Sequence, residues 1–150
     1  MTKQEKIIYL AGFFEGEGTI CISNRSDRKS FQLRICVGQK DIQPLPLYVE
    51  MFGGHIYPQK RKGVHCINQW DLKKRDAQIA FLKAIYPYLI TKKAEADVAF
   101  IFLETMSGCS EGGWWSRLTS EKRELRKTLF LESKRLKVKK YGYVPSLIKS

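Results

Sequence analysis

Histidine is nearly missing from this chain: His55 and His65 are the only two in 150 residues. Cys21, Cys36, Cys66 and Cys109 stand far apart, with no CxxC pair among them. A zinc site needs clustered nitrogen and sulfur ligands, so none is expected. Long apolar runs are missing as well. Stretches such as Ala96–Leu103 are interrupted and fall far short of the ~20 residues that cross a bilayer. No helical segment joins a basic face to a clearly exposed apolar one, so a membrane surface is not an expected partner. The opening residues Met1–Lys6 lead directly into a helical pattern, and no signal peptide is expected. Reduced thiols in an intracellular protein follow as the expectation. Repeats, low-complexity tracts and internal linkers are lacking too, which leaves one domain spanning residues 1–150.

Negative charge is the other scarcity. Fifteen Asp and Glu stand against 27 Lys and Arg, a net charge of +12. An excess of this size points to a polyanionic partner, with a merely soluble basic surface as the plainer alternative.

The pattern along the chain is a helix, two strands, a helix, two strands, then helices. Thr2 and Glu5 have capping-box spacing, and the period of Ile7, Ile8, Leu10, Ala11 and Phe14 predicts a helix over Lys3–Phe14. Gly16 and Gly18 are expected to stop it. Alternation predicts strands over Thr19–Arg25 and Phe31–Val37, joined by a polar turn. In the second of these, Leu33, Ile35 and Val37 share one face. Asp41 is expected to cap a second helix, with Pro44 and Pro46 in its first turn and Gly53-Gly54 closing it. A second hairpin follows, His55–Arg61 and Val64–Leu72, and then helices over Asp76–Ile85, Lys92–Ser107 and Ser120–Arg135.

Four antiparallel strands with one apolar face require a layer of helices on that face. The expected fold is therefore α+β, a saddle-like four-stranded sheet covered by helices on one side. The opposite face is polar: Ser23, Arg25, Gln32, Arg34, Tyr57, Gln59, Arg61, Gln69 and Asp71, with Lys40 just beyond the second strand. A twisted ribbon fits the DNA major groove, where Arg and Gln read guanine and adenine edges. A plain solvated face is the alternative, and the charge weighs against it.

The most informative segment is Leu10-Ala11-Gly12-Phe13-Phe14-Glu15-Gly16-Glu17-Gly18. It joins small helix residues to two carboxylates separated by a glycine. This segment closely resembles the motif of the LAGLIDADG homing endonucleases, with Phe-Phe at the apolar pair and Glu for both aspartates. The resemblance is specific from the first helix through Lys92. It implies a site-specific double-strand DNA endonuclease that hydrolyses a long pseudo-palindromic target with Mg²⁺. It also implies an intron-borne origin in organelle, phage or archaeal genomes.

The motif occurs once, and single-motif members of this family pair as homodimers. Leu10, Ala11, Gly12 and Phe14 are the expected dimer contacts, since a two-fold axis brings the same stripe from each copy together. An amphipathic helix that touches only its own core is the competing reading. The resemblance makes Glu17 the metal ligand, Gly16 a backbone ligand, and Glu15 a chiefly structural, hydrogen-bonding residue. Gln39 matches the polar residue over the catalytic water, and Lys92 the basic residue near the scissile phosphate; ordinary surface residues are the alternative for both. Gln43 stands where some relatives carry a basic residue, which shifts positive support toward Lys40 and Lys92.

Two features lie outside the motif. Lys134, Arg135, Lys137, Lys139 and Lys140 form the densest basic run, suited either to sequence-independent phosphate contacts or to a solvated tail. Trp114 and Trp115 receive no role. The rival function is a non-cleaving nucleic-acid binder, such as an intron-splicing maturase, that kept the scaffold.

Overall fold

In a computed structural model of the chain, residues 1–24, 30–60, 63, 66–106 and 120–141 are described. Arg25, Arg61, His65, Cys109, Trp114 and Trp115 lie outside them.

Helix α1 spans Lys3–Glu17 and opens on the expected capping box. The Thr2 hydroxyl accepts from the Glu5 N–H at 3.2 Å, and the Glu5 carboxylate accepts from the Thr2 N–H at 2.6 Å. The helix runs three residues past its predicted end. An internal glycine costs about 1 kcal/mol relative to alanine, too little to end a helix whose Leu10, Ala11 and Phe14 are fully buried. Gly18 terminates it instead, in an extended conformation. A Cβ on Gly18 would overlap the Phe14 ring, so the turn into the first strand requires glycine there.

Strands β1 (Gly18–Asn24), β2 (Phe31–Gln39), β3 (His55–Gln59) and β4 (Ile67–Leu72) form one antiparallel sheet in the order β1-β2-β4-β3. Ile20, Ile22, Leu33, Ile35, Val37, Trp70 and Leu72 point to one face and are buried. Helices α2 (Leu45–Phe52), α3 (Arg75–Ile85), α4 (Lys93–Glu104) and α5 (Ser120–Tyr141) complete the α+β architecture. Asp41 does not cap α2. Its carboxylate accepts from the Gln43 N–H at 3.0 Å, and the helix begins later, at Leu45, with Pro44 at its N-cap.

Aromatic rings tie the helices to the sheet. Phe81 of α3 meets Phe14, Trp70 and Phe52 at centroid distances of 5.1, 5.3 and 5.0 Å, spacings at which edge-to-face contact adds to apolar burial. The polar atoms of this cluster are satisfied. Tyr48 donates to the Leu10 carbonyl at 2.8 Å and the Trp70 indole to the Gly53 carbonyl at 2.8 Å. Gln78 of α3 donates to the carbonyls of Leu33 (3.2 Å) and Leu72 (2.8 Å), where the pairing of β2 with β4 ends.

Candidate functional site

Glu17 is the last residue of α1 and is exposed. The sequence reading put it just beyond the helix. The difference matters, because the carbonyls of a helix's final turn lack intrahelical partners and carry partial negative charge. An exposed carboxylate and an exposed Gly16 therefore sit together at an electronegative helix end. These hard oxygen donors suit Mg²⁺, which takes one or two carboxylates and keeps several waters. Among the described residues no cluster of three or more His, Cys, Asp or Glu forms a metal cage. A single chain brings one carboxylate, that of Glu17, to this helix end.

Strand register brings a second predicted residue to the same end of the sheet. Gly18 pairs with Val37, and β2 continues two residues further, to Gln39, on the side from which α1 arrives. The Gln39 side-chain oxygen accepts from the Lys40 N–H at 2.9 Å, and Asn68 Nδ2 donates to the Lys40 carbonyl at 3.2 Å. These bonds fix the end of β2 against β4.

Lys92 is bound to the motif itself. The segment Ile90–Lys92 leads into α4, and the Glu15 carboxylate accepts from it four times. The Ile90 N–H (3.1 Å) and the Lys92 N–H (3.1 Å) reach one oxygen; the Thr91 N–H (2.9 Å) and hydroxyl (2.8 Å) reach the other. Lys92 Nζ in turn donates to the Glu15 carbonyl at 2.8 Å, and the residue is only 4% exposed. Burial raises the Glu15 pKa, but the bonds from Thr91, Lys92 and Ile90 together outweigh it and hold the carboxyl below its ordinary value.

The expected dimer stripe needs correcting. Leu10, Ala11 and Phe14 are each 0% exposed within the single chain, committed to its own core. Only Gly12 of that set faces outward. The outward stripe of α1 is Ile8 (47% exposed), Tyr9 (45%), Gly12 and Gly16. A Cβ added at Gly12 or at Gly16 would meet nothing within 4 Å.

On the polar sheet face, Ser23, Gln32, Arg34, Tyr57 and Gln59 are partly exposed, and Lys40 is exposed. Gln69 and Asp71 are not exposed readers, contrary to expectation; both are buried between neighbouring strands. Gln69 donates to the Tyr57 hydroxyl at 2.9 Å, and Asp71 lies 3.8 Å from Lys73. Burial and the Asp71 carboxylate push the Tyr57 phenol up, while the Arg34 guanidinium that bonds to it pulls the other way. Gln69 and Arg34 thus both bond to the Tyr57 hydroxyl.

Contacts that the sequence did not single out seat α5 beside this face. Helix α5 covers the β1 edge, with the Ser133 hydroxyl accepting from the Ile22 N–H at 3.5 Å and Phe130 against Phe31 at 5.2 Å. Arg126 anchors the helix to the end of α4, donating to the Thr105 hydroxyl (2.8 Å) and carbonyl (3.1 Å). The basic run is thus helical, and Lys134 and Lys137 line a cleft with Cys21, Ser23 and Asn24. Its i, i+3 spacing was the signal that sequence reading had available.

A family model described as LAGLIDADG endonuclease matches residues 10–101. No curated protein matches in sequence. Among solved structures, the chain resembles the homing endonuclease I-CvuI, in complex with an I-CreI target in the presence of magnesium with the DNA not cleaved. That likeness has a TM-score of 0.62 at 22% identity and covers 95% of this chain and 98% of that one. An archaeal intron-encoded homing endonuclease complexed with DNA, I-Vdi141I, gives 0.72 at 17% identity, covering 90% and 86%. The LAGLIDADG meganuclease I-AabMI, bound to uncleaved DNA, gives 0.65 at 19% identity, covering 83% of this chain but 43% of its own. At these identities the shared property is the fold.

Proposed function

Because this chain belongs to the LAGLIDADG endonuclease family, we propose that it is a site-specific double-strand DNA endonuclease acting as a homodimer with Mg²⁺. It would cut a long, partly palindromic target near the dimer axis. The carrying observation is the convergence at one sheet end of exposed Glu17, register-aligned Gln39 and the anchored Lys92.

The dimer accounts for an oddity of α1. Glycine in a helix costs about 1 kcal/mol relative to alanine, and nothing within the chain requires it at Gly12 or Gly16. A second copy against Ile8, Tyr9, Gly12 and Gly16 would let the two backbones approach closely. A two-fold axis there brings both Glu17 carboxylates together at one metal site.

The duplex lies on the outer sheet face, where Ser23, Gln32, Arg34, Tyr57 and Gln59 contact base edges and Lys40 a phosphate. The Glu17 carboxylate and the Gly16 carbonyl would hold the cation. When bound, Mg²⁺ would lower the pKa of a coordinated water and neutralise charge on the reacting phosphate. Gln39 orients the attacking water through its amide. The Lys92 ammonium stabilises negative charge that develops on the phosphoryl oxygens. The similar chains I-CvuI and I-Vdi141I are complexed with DNA, which supports DNA as the partner.

Selection of cleaved sites from a randomised DNA library in Mg²⁺ tests activity, symmetry and target together. Glu17→Gln should abolish cleavage and change DNA affinity by no more than a few-fold. Unchanged cleavage by the purified variant overturns the mechanism. A wild-type protein that binds selected sites and cuts none of them is the maturase-like binder.

A further inference from the structure

The geometry points to Glu15 as a positioning residue for Lys92: it sets where the lysine ammonium stands, and with it the rate of the chemical step. This rests on the endonuclease reading above. Glu15 makes a reciprocal clasp with three consecutive residues just before α4. Its carboxylate receives three successive backbone N–H groups and the Thr91 hydroxyl, while its own carbonyl receives Lys92 Nζ.

Both ends of Lys92 are thereby fixed by one residue. The backbone N–H is held by the Glu15 side chain, and the ammonium by the Glu15 backbone, two positions before Glu17. Lys92 and Glu17 come from elements 75 positions apart (92 minus 17), and the clasp is what couples them. Charge-assisted bonds of this length are strong and directional, so the flexible lysine stem has little freedom to wander. The glutamate arm matters as well. It is one methylene longer than aspartate, and both of its oxygens are used.

Two measurements on the full-length protein test this. The first needs no cleavage: competitive acetylation with acetic anhydride, read at each lysine by peptide mass spectrometry. Lys92 of the wild type should react on the order of 10-fold more slowly than exposed Lys73, and Glu15→Gln should remove most of that protection. Thr91→Val, which deletes one donor from an exposed position, should give a smaller rise in labelling and decides the matter if Glu15→Gln does not fold.

The second measurement is a double-mutant cycle in single-turnover cleavage. Glu15→Gln should slow cleavage roughly 10- to 100-fold without changing DNA affinity, the scale of a misplaced catalytic group. In a Lys92→Met background the same change should slow it by less than about 2-fold, because its effect runs through the lysine. Unchanged Lys92 labelling overturns the clasp, and equal losses in both backgrounds overturn its catalytic part. A wild type that cuts no selected DNA refutes the endonuclease reading, while the labelling result still decides the clasp.

Discussion

Substitution at Gly12 distinguishes the dimer from an isolated domain by the sign of its effect. In the single chain a Cβ at Gly12 has open space around it. Gly12→Ala should then stabilise by the difference in helix propensity, about 0.8–1.0 kcal/mol, which raises the thermal midpoint by roughly 2–4 °C for a domain of this size. If a second copy packs on Ile8, Tyr9 and Gly12, the outcome reverses. Added bulk in a close-packed seam costs about 1–3 kcal/mol per site, and the two-fold axis applies it twice. Gly12→Leu should therefore raise the dimer dissociation constant at least ~30-fold, taking the lower limit at 1.4 kcal/mol per decade. Sedimentation equilibrium across a hundredfold range of concentration, with urea unfolding at two protein concentrations, reads both effects. A Gly12→Leu protein that is more stable than wild type, with a midpoint independent of concentration and wild-type mass, refutes the reasoning.

Gly54 sits at φ +89°, with Trp70 Nε1 and the Asp71 carbonyl each 2.7 Å from where a Cβ would stand. Gly54→Ala should cost about 2–4 kcal/mol from left-handed strain plus overpacking, read by urea denaturation followed through tryptophan fluorescence. Lys134→Gln with Lys137→Gln should lower the slope of log affinity against log salt by roughly 2 and weaken all sequences alike. An unchanged slope excludes α5 from the phosphate contacts. Burial pushes the Cys36 thiol up to about 11, with Cys21 and Asp71 adding to it and Arg34 and Lys137 opposing. A folded value above the unfolded one gives stability that is intact below about 9 and lost as pH rises toward 11. The urea midpoint should fall across that window in wild type more than in Cys36→Ala, and exposed Cys66 should react with thiol reagents well before Cys36.

The inner sheet face is legible in the sequence because strand alternation has only two phases. Leu33, Ile35 and Val37 had to share a side. The faces of α1 were not legible in the same way. Leu10, Ala11 and Phe14 form one apolar or small stripe; Ile8, Tyr9, Gly12 and Gly16 form another. Periodicity cannot tell a core stripe from a partner stripe when both are apolar or small, so inward Leu10, Ala11 and Phe14 fall together with outward Gly12 in the seam expected from sequence. Gln69 and Asp71 failed for a related reason. Alternation put them on the correct face, but it carries no information on whether the flanking strands cover them.

The local chemistry of the chain was determined by the sequence alone: the capping box at Thr2, the carboxylate at Glu17, the polar strand phase and the basic excess. Each depends on neighbours within a few residues or on composition, and needs no fold to be computed. Tertiary structure decided every long-range pairing. It extended α1 past Gly16, because burial of Phe14 outweighs the cost of one glycine. It also laid α5 along the β1 edge and closed the Glu15 carboxylate on Ile90, Thr91 and Lys92. The reach of a hydrogen bond is about 3 Å, and only the folded chain brings positions 15 and 92 within it.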